Sequence, residues 1–313
     1  MGKYLVKKAL ILVFTLLVTS FVVFAIFAIL PGDPAVHKLG TQATPEKLEL
    51  LREEMGLNVP FILRYLKWLG SIFTLEFGQS YSYSCSVGSL IVSKIPINLT
   101  LAVFALLIVC AVSVPMGIYT AKHVGGKTDK LVMALNQFFM SVPPFLLGLA
   151  LTYLFGIVFK IFTPGGYVDY QTNPVGFAAY LFFPALALAI PKCAMCIRLL
   201  KTGILEEAQK DYARTAYSRG NSTTQMLYKH ILKNAIMPTI TFVGMVAADM
   251  IASGIIIEQV FGIPGLGRSL LSAISTRDYP VVTAIVMLIA ILIVSIGFVT
   301  DIIHAIIDPR IRK

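Results

Sequence analysis

Long apolar runs separated by short charged ones set the pattern of the chain from its start. Ala9 to Leu30 holds no charged side chain, and Lys3, Lys7 and Lys8 stand just before it. Such a run crosses ~30 Å of hydrocarbon as a helix. It exceeds the roughly 7–15 apolar residues of a cleaved signal peptide and no small-x-small site follows it, so it is expected to remain as a membrane anchor. Five more runs of spanning length follow at 97–121, 131–161, 176–200, 236–257 and 280–305. Pro143 and Pro144 break the hydrogen-bond ladder of the third, and Pro184 and Pro191 do so in the fourth, which is expected to allow bends near a central cavity. The pattern predicts an all-α membrane protein with six transmembrane helices.

Composition points to lipid as the solvent: 57% of the residues are hydrophobic and 13% are charged, against about a quarter charged in soluble domains. The 26 Lys and Arg outnumber the 16 Asp and Glu. They gather at the ends of apolar runs rather than along one polar face, which suits membrane lipid or acidic protein partners and not nucleic acid. With the N-terminus in the cytoplasm, 16 Lys and Arg fall inside and eight outside. Six of those eight lie in the long 31–96 segment, whose charge weighs little in setting orientation. Both termini of this multi-pass cell-membrane protein are therefore expected inside, with Cys85 outside. The expected divisions are the N-terminal end and first span (1–30), an extracytoplasmic segment (31–96), a five-span core (97–305) and a cytoplasmic tail (306–313). No period of 20–50 residues recurs, and the first three spans do not repeat as the last three, which weakens an inverted-repeat carrier. The four Cys fit neither a disulfide framework nor a zinc site, and no metal ligands are expected.

The polar segments carry the remaining information. Thr44 can cap a helix that begins at Pro45 and ends at Gly56. Leu48, Leu51 and Met55 share one of its faces, and Glu46, Glu49, Arg52 and Glu53 lie opposite, as on a surface or docking helix. In the cytoplasmic segment 201–235, Gly220 suits a left-handed C-terminal cap, and Ser222 with Gln225 forms a capping box for the next helix. Two helices broken at Gly220 and Asn221 result. Tethered between spans, this unit reads as a rigid docking element rather than a DNA reader.

Gly125, Gly126, Lys127 and Thr128 imitate the end of a phosphate-binding loop, but Ala121 stands where that loop needs its first Gly. Energy from ATP would then have to arrive through another polypeptide. Asp249 lies near the middle of the fifth span, where an ionised carboxylate facing lipid costs at least ~2.5 kcal/mol. Either it lines a solute pathway or it contacts a neighbouring helix. Asp301 and His304, near the end of the sixth span, read as structural. Cys193 and Cys196 share a helical face among Ala194, Met195 and Ile197, as packing residues do.

Taken together, these segments resemble the permeases of peptide- and nickel-type ABC importers, specifically the first of their two related permease chains. Pro31, Gly32, Asp33 and Pro34 match that family's signature after the first span, and Phe77, Gly78, Gln79 and Ser80 a later loop motif. Asp211, Tyr212, Ala213, Arg214, Thr215 and Ala216 lead to Gly220, then to Lys229, His230, Lys233, Asn234, Ala235 and Pro238, as in these permeases. A further run reads Glu258, Gln259, Val260, Phe261, Gly262, Ile263, Pro264, Gly265, Leu266, Gly267 and Arg268, continuing to Arg277, Asp278, Tyr279 and Pro280. Asp308, Pro309, Arg310, Ile311 and Arg312 complete the pattern.

The resemblance implies the type I ABC importer permease fold, with 201–235 as the loop that couples to the ATPases. Its general importer form begins Glu-Ala-Ala; here Arg214 and Thr215 replace the Glu and first Ala, and only Ala216 and Gly220 fit. It also implies a homologous second permease, two ABC ATPase subunits that bind ATP and Mg2+, and an extracytoplasmic solute-binding protein. This chain would then be no enzyme and hold no cofactor. Asp249 and Glu258 are the candidate pathway residues, with dipeptides or oligopeptides as the leading solutes and nickel or a metal chelate next. The rivals are an ion-coupled carrier using Asp249 and Asp301 as a proton relay, and a membrane scaffold that transports nothing.

Overall fold

A computed structural model describes residues 2–29, 34–39, 44–74, 76–83 and 85–307. Pro31, Gly32 and Asp33 and the motif from Asp308 to Arg312 lie outside the described residues. In chain order the helices are α1 (Gly2–Ile29), α2 (Pro34–Leu39), α3 (Pro45–Glu54), α4 (Phe61–Thr74), α5 (Val87–Val92), α6 (Ile95–Lys122), α7 (Lys127–Ser141) and α8 (Pro144–Leu151). They continue as α9 (Pro174–Ala208), α10 (Asp211–Ser218), α11 (Thr223–Met226), α12 (Leu232–Ala235), α13 (Met237–Phe261), α14 (Leu266–Ser275) and α15 (Tyr279–Ile307). Wider turns at Thr152–Val158 and Leu227–Ile231 extend α8 and join α11 to α12.

Among the described residues, five helical stretches are long and apolar enough to cross a membrane, and a sixth span exists if α7 and the α8 stretch count as one, bent by 104°. The sequence drew that third span as a single run over 131–161; the structure corrects it to two helices meeting at Val142 and Pro143. Pro143 cannot donate to the ladder of α7, and Pro144 opens α8 at the position where a missing N–H is harmless. The fourth span behaves differently. α9 runs unbroken through Pro184 and Pro191, so their missing N–H groups do not interrupt that helix.

The chain forms two compact units, residues 99–263 with 296–313 and residues 2–98 with 264–295. In the first, α9 packs along α7, α8 and α13, and nearly half its residues, from Phe177 to Ile204, are buried. Small residues permit the close approaches: a Cβ on Gly148 would come within 3.1 Å of the Phe261 ring, and one on Gly117 within 2.9 Å of Leu200. The Tyr180 hydroxyl donates to the Phe261 carbonyl and ties α9 to the end of α13.

In the second unit α4 lies against α1 through aromatic contacts of Phe21 and Phe24 with Phe61 and Tyr65. Two of the quoted motifs, far apart in sequence, meet here. Asp278 is fully buried; its Oδ2 accepts from the Ser80 hydroxyl at 2.5 Å and the Ser82 N–H at 3.1 Å. A buried carboxylate needs such donors. Burial, and after it the Asp278 charge, pushes the nearby Tyr81 phenol up to about 12, so it remains a neutral donor at physiological pH.

Candidate functional site

The 201–235 segment is built on a small apolar core. Ile118 from α6, Leu200 and Ile204 from α9, Ala213 from α10, and Leu227, Ile231 and Ala235 beyond it are all buried together. α9 extends eight residues past Leu200, to Ala208, before the chain breaks at Gln209 and Lys210. The first of the two expected helices is therefore the short α10, and the second is divided by the wider turn at Leu227–Ile231, where the Leu232 N–H bonds back to the Leu227 carbonyl. The predicted hinge chemistry is present. Gly220 has φ of 84°, Ser222 and Gln225 make both bonds of the capping box, and Asn221 Nδ2 donates to the Ala216 carbonyl at 2.9 Å.

The residues that the sequence grouped as one set divide by their period. Ala213 and Ala216 point into the core, whereas Asp211, Tyr212, Arg214, Thr215, Gly220, Lys229, His230 and Asn234 are exposed. With alanines at i and i+3 seated against the core, α10 turns its polar residues outward. Tyr212 fixes this arrangement: its hydroxyl donates to Glu207 Oε2 at 2.5 Å and accepts from Asn234 Nδ2 at 3.2 Å. Burial, followed by the Glu207 bond, holds the Tyr212 phenol above its usual value. Lys210 pairs with Glu207 at 2.5 Å, and the carboxylate raises its ammonium above the ordinary range.

Sequence reading missed Glu207 and Lys210, and the signal was local: an acid three residues before a base at a helix end. It also missed the Asp129–Lys201 pair. Lys201 Nζ lies 2.5 Å from Asp129 Oδ1, with side chains 14% and 6% exposed. The other oxygen, Asp129 Oδ2, accepts from the Gly125 N–H at 2.9 Å, which clamps the start of α7 to the end of α9. Gly203, two residues along, has no room for a side chain, since its Cβ would fall 2.9 Å from the Ala235 carbonyl oxygen.

Asp249 meets a partner on the neighbouring helix. Its Oδ2 lies 2.6 Å from Lys192 Nζ, with the lysine 20% and the aspartate 50% exposed. Lys192 and Asp249 sit at the midpoints of α9 and α13, where each charge alone in lipid would cost about 2.5–3.5 kcal/mol. The neighbouring-helix contact offered as one reading of Asp249 is thus present, and half of the carboxylate still faces outward. Along α13 the exposed positions Thr241, Met245, Asp249, Ala252, Ile256 and Gln259 follow one another at intervals of three and four, so they form a single open stripe. Glu258, the other pathway candidate, is fully buried and lies off this stripe. Near the start of α13, Thr241 Oγ1 lies 3.0 Å from Nε2 of His304 on α15. Cys193 and Cys196 are buried free thiols, and Cys193 Sγ lies 3.9 Å from the Ile108 carbonyl.

The chain is similar to known proteins along its length. Residues 113–313 match the family described as binding-protein-dependent transport system inner membrane component, and residues 1–102 match its N-terminal companion. A Brucella abortus (strain 2308) protein named as a peptide transport system permease is 34% identical over 297 residues, 95% of each chain. The oligopeptide transport system permease protein AppB of Bacillus subtilis is 31% identical over 315 residues, covering all of both chains. The dipeptide transport system permease protein DppB of the same organism is 30% identical over 313 residues, covering 100% of this chain and 98% of the relative.

Proposed function

The chain belongs to the family of binding-protein-dependent transport system inner membrane components, and from that premise we propose that it is a permease subunit of an ATP-driven importer of dipeptides or oligopeptides. The observation that carries this reading is the outward polar face of α10, held rigidly on a core shared with α6 and α9. A helix in that position transmits force from a partner into the spans, because the core beneath it moves as packed side chains rather than as a flexible loop. Asp211, Tyr212, Arg214 and Thr215, with Lys229, His230 and Asn234, meet the ATPase subunits; Ala213 and Ala216 seat the helix, and Gly220 sets its angle. A second permease, two ATPases that bind ATP and Mg2+, and an extracytoplasmic solute-binding protein complete the assembly. Purification of the chain from its native membrane should bring ATP-hydrolysing subunits with it; an uptake-competent preparation free of them contradicts the reading.

Orientation follows from the Lys and Arg distribution, which places both termini and the 201–235 segment in the cytoplasm and Cys85 outside. With the other three cysteines replaced, a membrane-impermeant thiol reagent should label Cys85 in intact cells. Labelling only after lysis, by a reagent shown to react with Cys85 in detergent, reverses the assignment.

Asp249 lines the translocation path, and Lys192 is its resting counter-ion. Asp249→Asn should lower uptake several-fold at every substrate concentration, with Lys192→Met doing the same. The double variant separates the two readings. If the pair only packs helices, removing both charges restores uptake, since the lost partner is the main penalty of each single change; if the charges serve transport, uptake stays low.

A further inference from the structure

A cavity of about 510 Å³ opens in the unit of residues 2–98 and 264–295, lined among others by Phe24, Phe27, Arg52, Arg64, Trp68 and Tyr81. Its position in depth is set by two spans. Phe24, Phe27 and Ala28 are in the last two turns of α1, and Tyr279, Pro280 and Thr283 open α15, so the cavity lies at the level where hydrocarbon gives way to headgroups. Aromatic rings concentrate at that level because they are apolar in body and polar at the edge. α4 supports the placement. Its Phe61, Tyr65 and Trp68 turn toward α1, while Ile62, Leu66 and Phe73 on another face are 57%, 54% and 84% exposed, as for a helix lying in the membrane interface.

Among the described residues, the charges of the lining are two guanidinium groups and no carboxylate. Arg52 is partly neutralised by Glu49, 3.4 Å away, and Glu49 also accepts from Asn58 Nδ2 at 3.1 Å. Arg64 pairs with no carboxylate among the described residues; it stands over the Phe24 ring at 5.5 Å. A cation–π contact orients a guanidinium without neutralising it, and leaves its N–H fork open to a bidentate anion. The neutral Tyr81 phenol and the Asn58 amide border the same space as further polar groups.

From this arrangement we infer that the cavity is a binding site for the phosphodiester headgroup of an anionic phospholipid, with Arg64 as its principal anchor and an acyl chain running down α1 beside Phe27 and Ala28. Basic pockets beside membrane spans select anionic lipids in this way, and the volume falls within the range of small-molecule sites. The site would hold α4 to the bilayer and fix the extracytoplasmic segment relative to the membrane surface.

Trp68 is the only tryptophan of the 313 residues and borders the cavity, so its fluorescence reports occupancy. The complete transporter and its Trp68→Phe variant are reconstituted into vesicles containing phosphatidylglycerol or phosphatidylcholine brominated on the acyl chains. The difference between the two proteins isolates Trp68. Quenching of Trp68 should be several-fold stronger with brominated phosphatidylglycerol, and Arg64→Gln should remove the preference. Equal quenching by both lipids reduces the cavity to ordinary boundary-lipid contact and overturns the proposal, as does a preference that survives Arg64→Gln. Loss of phosphatidylglycerol quenching on adding inorganic phosphate, at constant ionic strength, identifies a soluble-anion site instead and also overturns it. The parent protein's comparison decides even where Arg64→Gln does not assemble.

Discussion

Lys201→Met is expected to destabilise the transporter by about 3–5 kcal/mol, the usual effect of removing one member of a buried ion pair. Asp129 would be left almost fully buried, with only the Gly125 N–H as donor. Exposure near a tenth for both side chains leaves little solvent screening to reduce that figure. The loss falls where α7 meets α9, beside the core that seats α10. Thermal unfolding of the purified complex should therefore start at a clearly lower temperature, and the yield of assembled complex should drop. Adding Asp129→Leu should return much of the stability, because an apolar pair of similar volume removes the stranded charge. An unchanged melting temperature in Lys201→Met would mean that the pair is dispensable.

Gly220→Val is expected to leave the spans intact and to disable transport. Gly220 has φ of 84°, and a Cβ there would meet nothing within 4 Å, so the substitution acts through the backbone alone. A left-handed conformation costs an L-residue roughly 1–2 kcal/mol, and more when it is β-branched. The chain relieves this by changing the angle between α10 and α11, which moves the polar face of α10 off its partner. Each 1.4 kcal/mol of lost docking energy is about tenfold in affinity, so uptake should fall by about an order of magnitude while the sister permease is retained. Gly220→Asn, which tolerates the left-handed region, should keep most of the uptake. Parental uptake by Gly220→Val at equal expression would show that the hinge angle does not matter; loss of the chain from the membrane would show that Gly220 serves folding instead.

What could be read from the sequence was local. The Thr44 cap of α3, the left-handed Gly220 and the Ser222–Gln225 box each depend on residues within one turn, and all are present. The prolines show the limit of such reading. A proline states that a hydrogen bond is missing, not that the helix bends: Pro143 and Pro144 end one helix and start another, whereas α9 passes through Pro184 and Pro191. Contacts between distant segments were not legible at all. Lys192 and Asp249, Asp129 and Lys201, and Ser80 and Asp278 are paired by helix packing, and no spacing rule joins them. α4 was missed for a related reason, since Arg64 and Lys67 interrupt its apolar positions and its amphipathic face is evident only once Phe61, Tyr65 and Trp68 are seen against α1. Burial was not legible either: Glu258 is fully buried while its neighbour Gln259 is exposed.

The central claim is that this chain forms part of an ATP-driven path for peptides. Its most direct test is uptake of labelled dipeptide into proteoliposomes containing the chain, its sister permease and the ATPase subunits, with the solute-binding protein on the outside and ATP enclosed. Accumulation should require both ATP hydrolysis and the binding protein, and should persist when a protonophore abolishes the proton gradient. Accumulation that needs no ATP and collapses with the gradient would contradict the claim and identify an ion-coupled carrier.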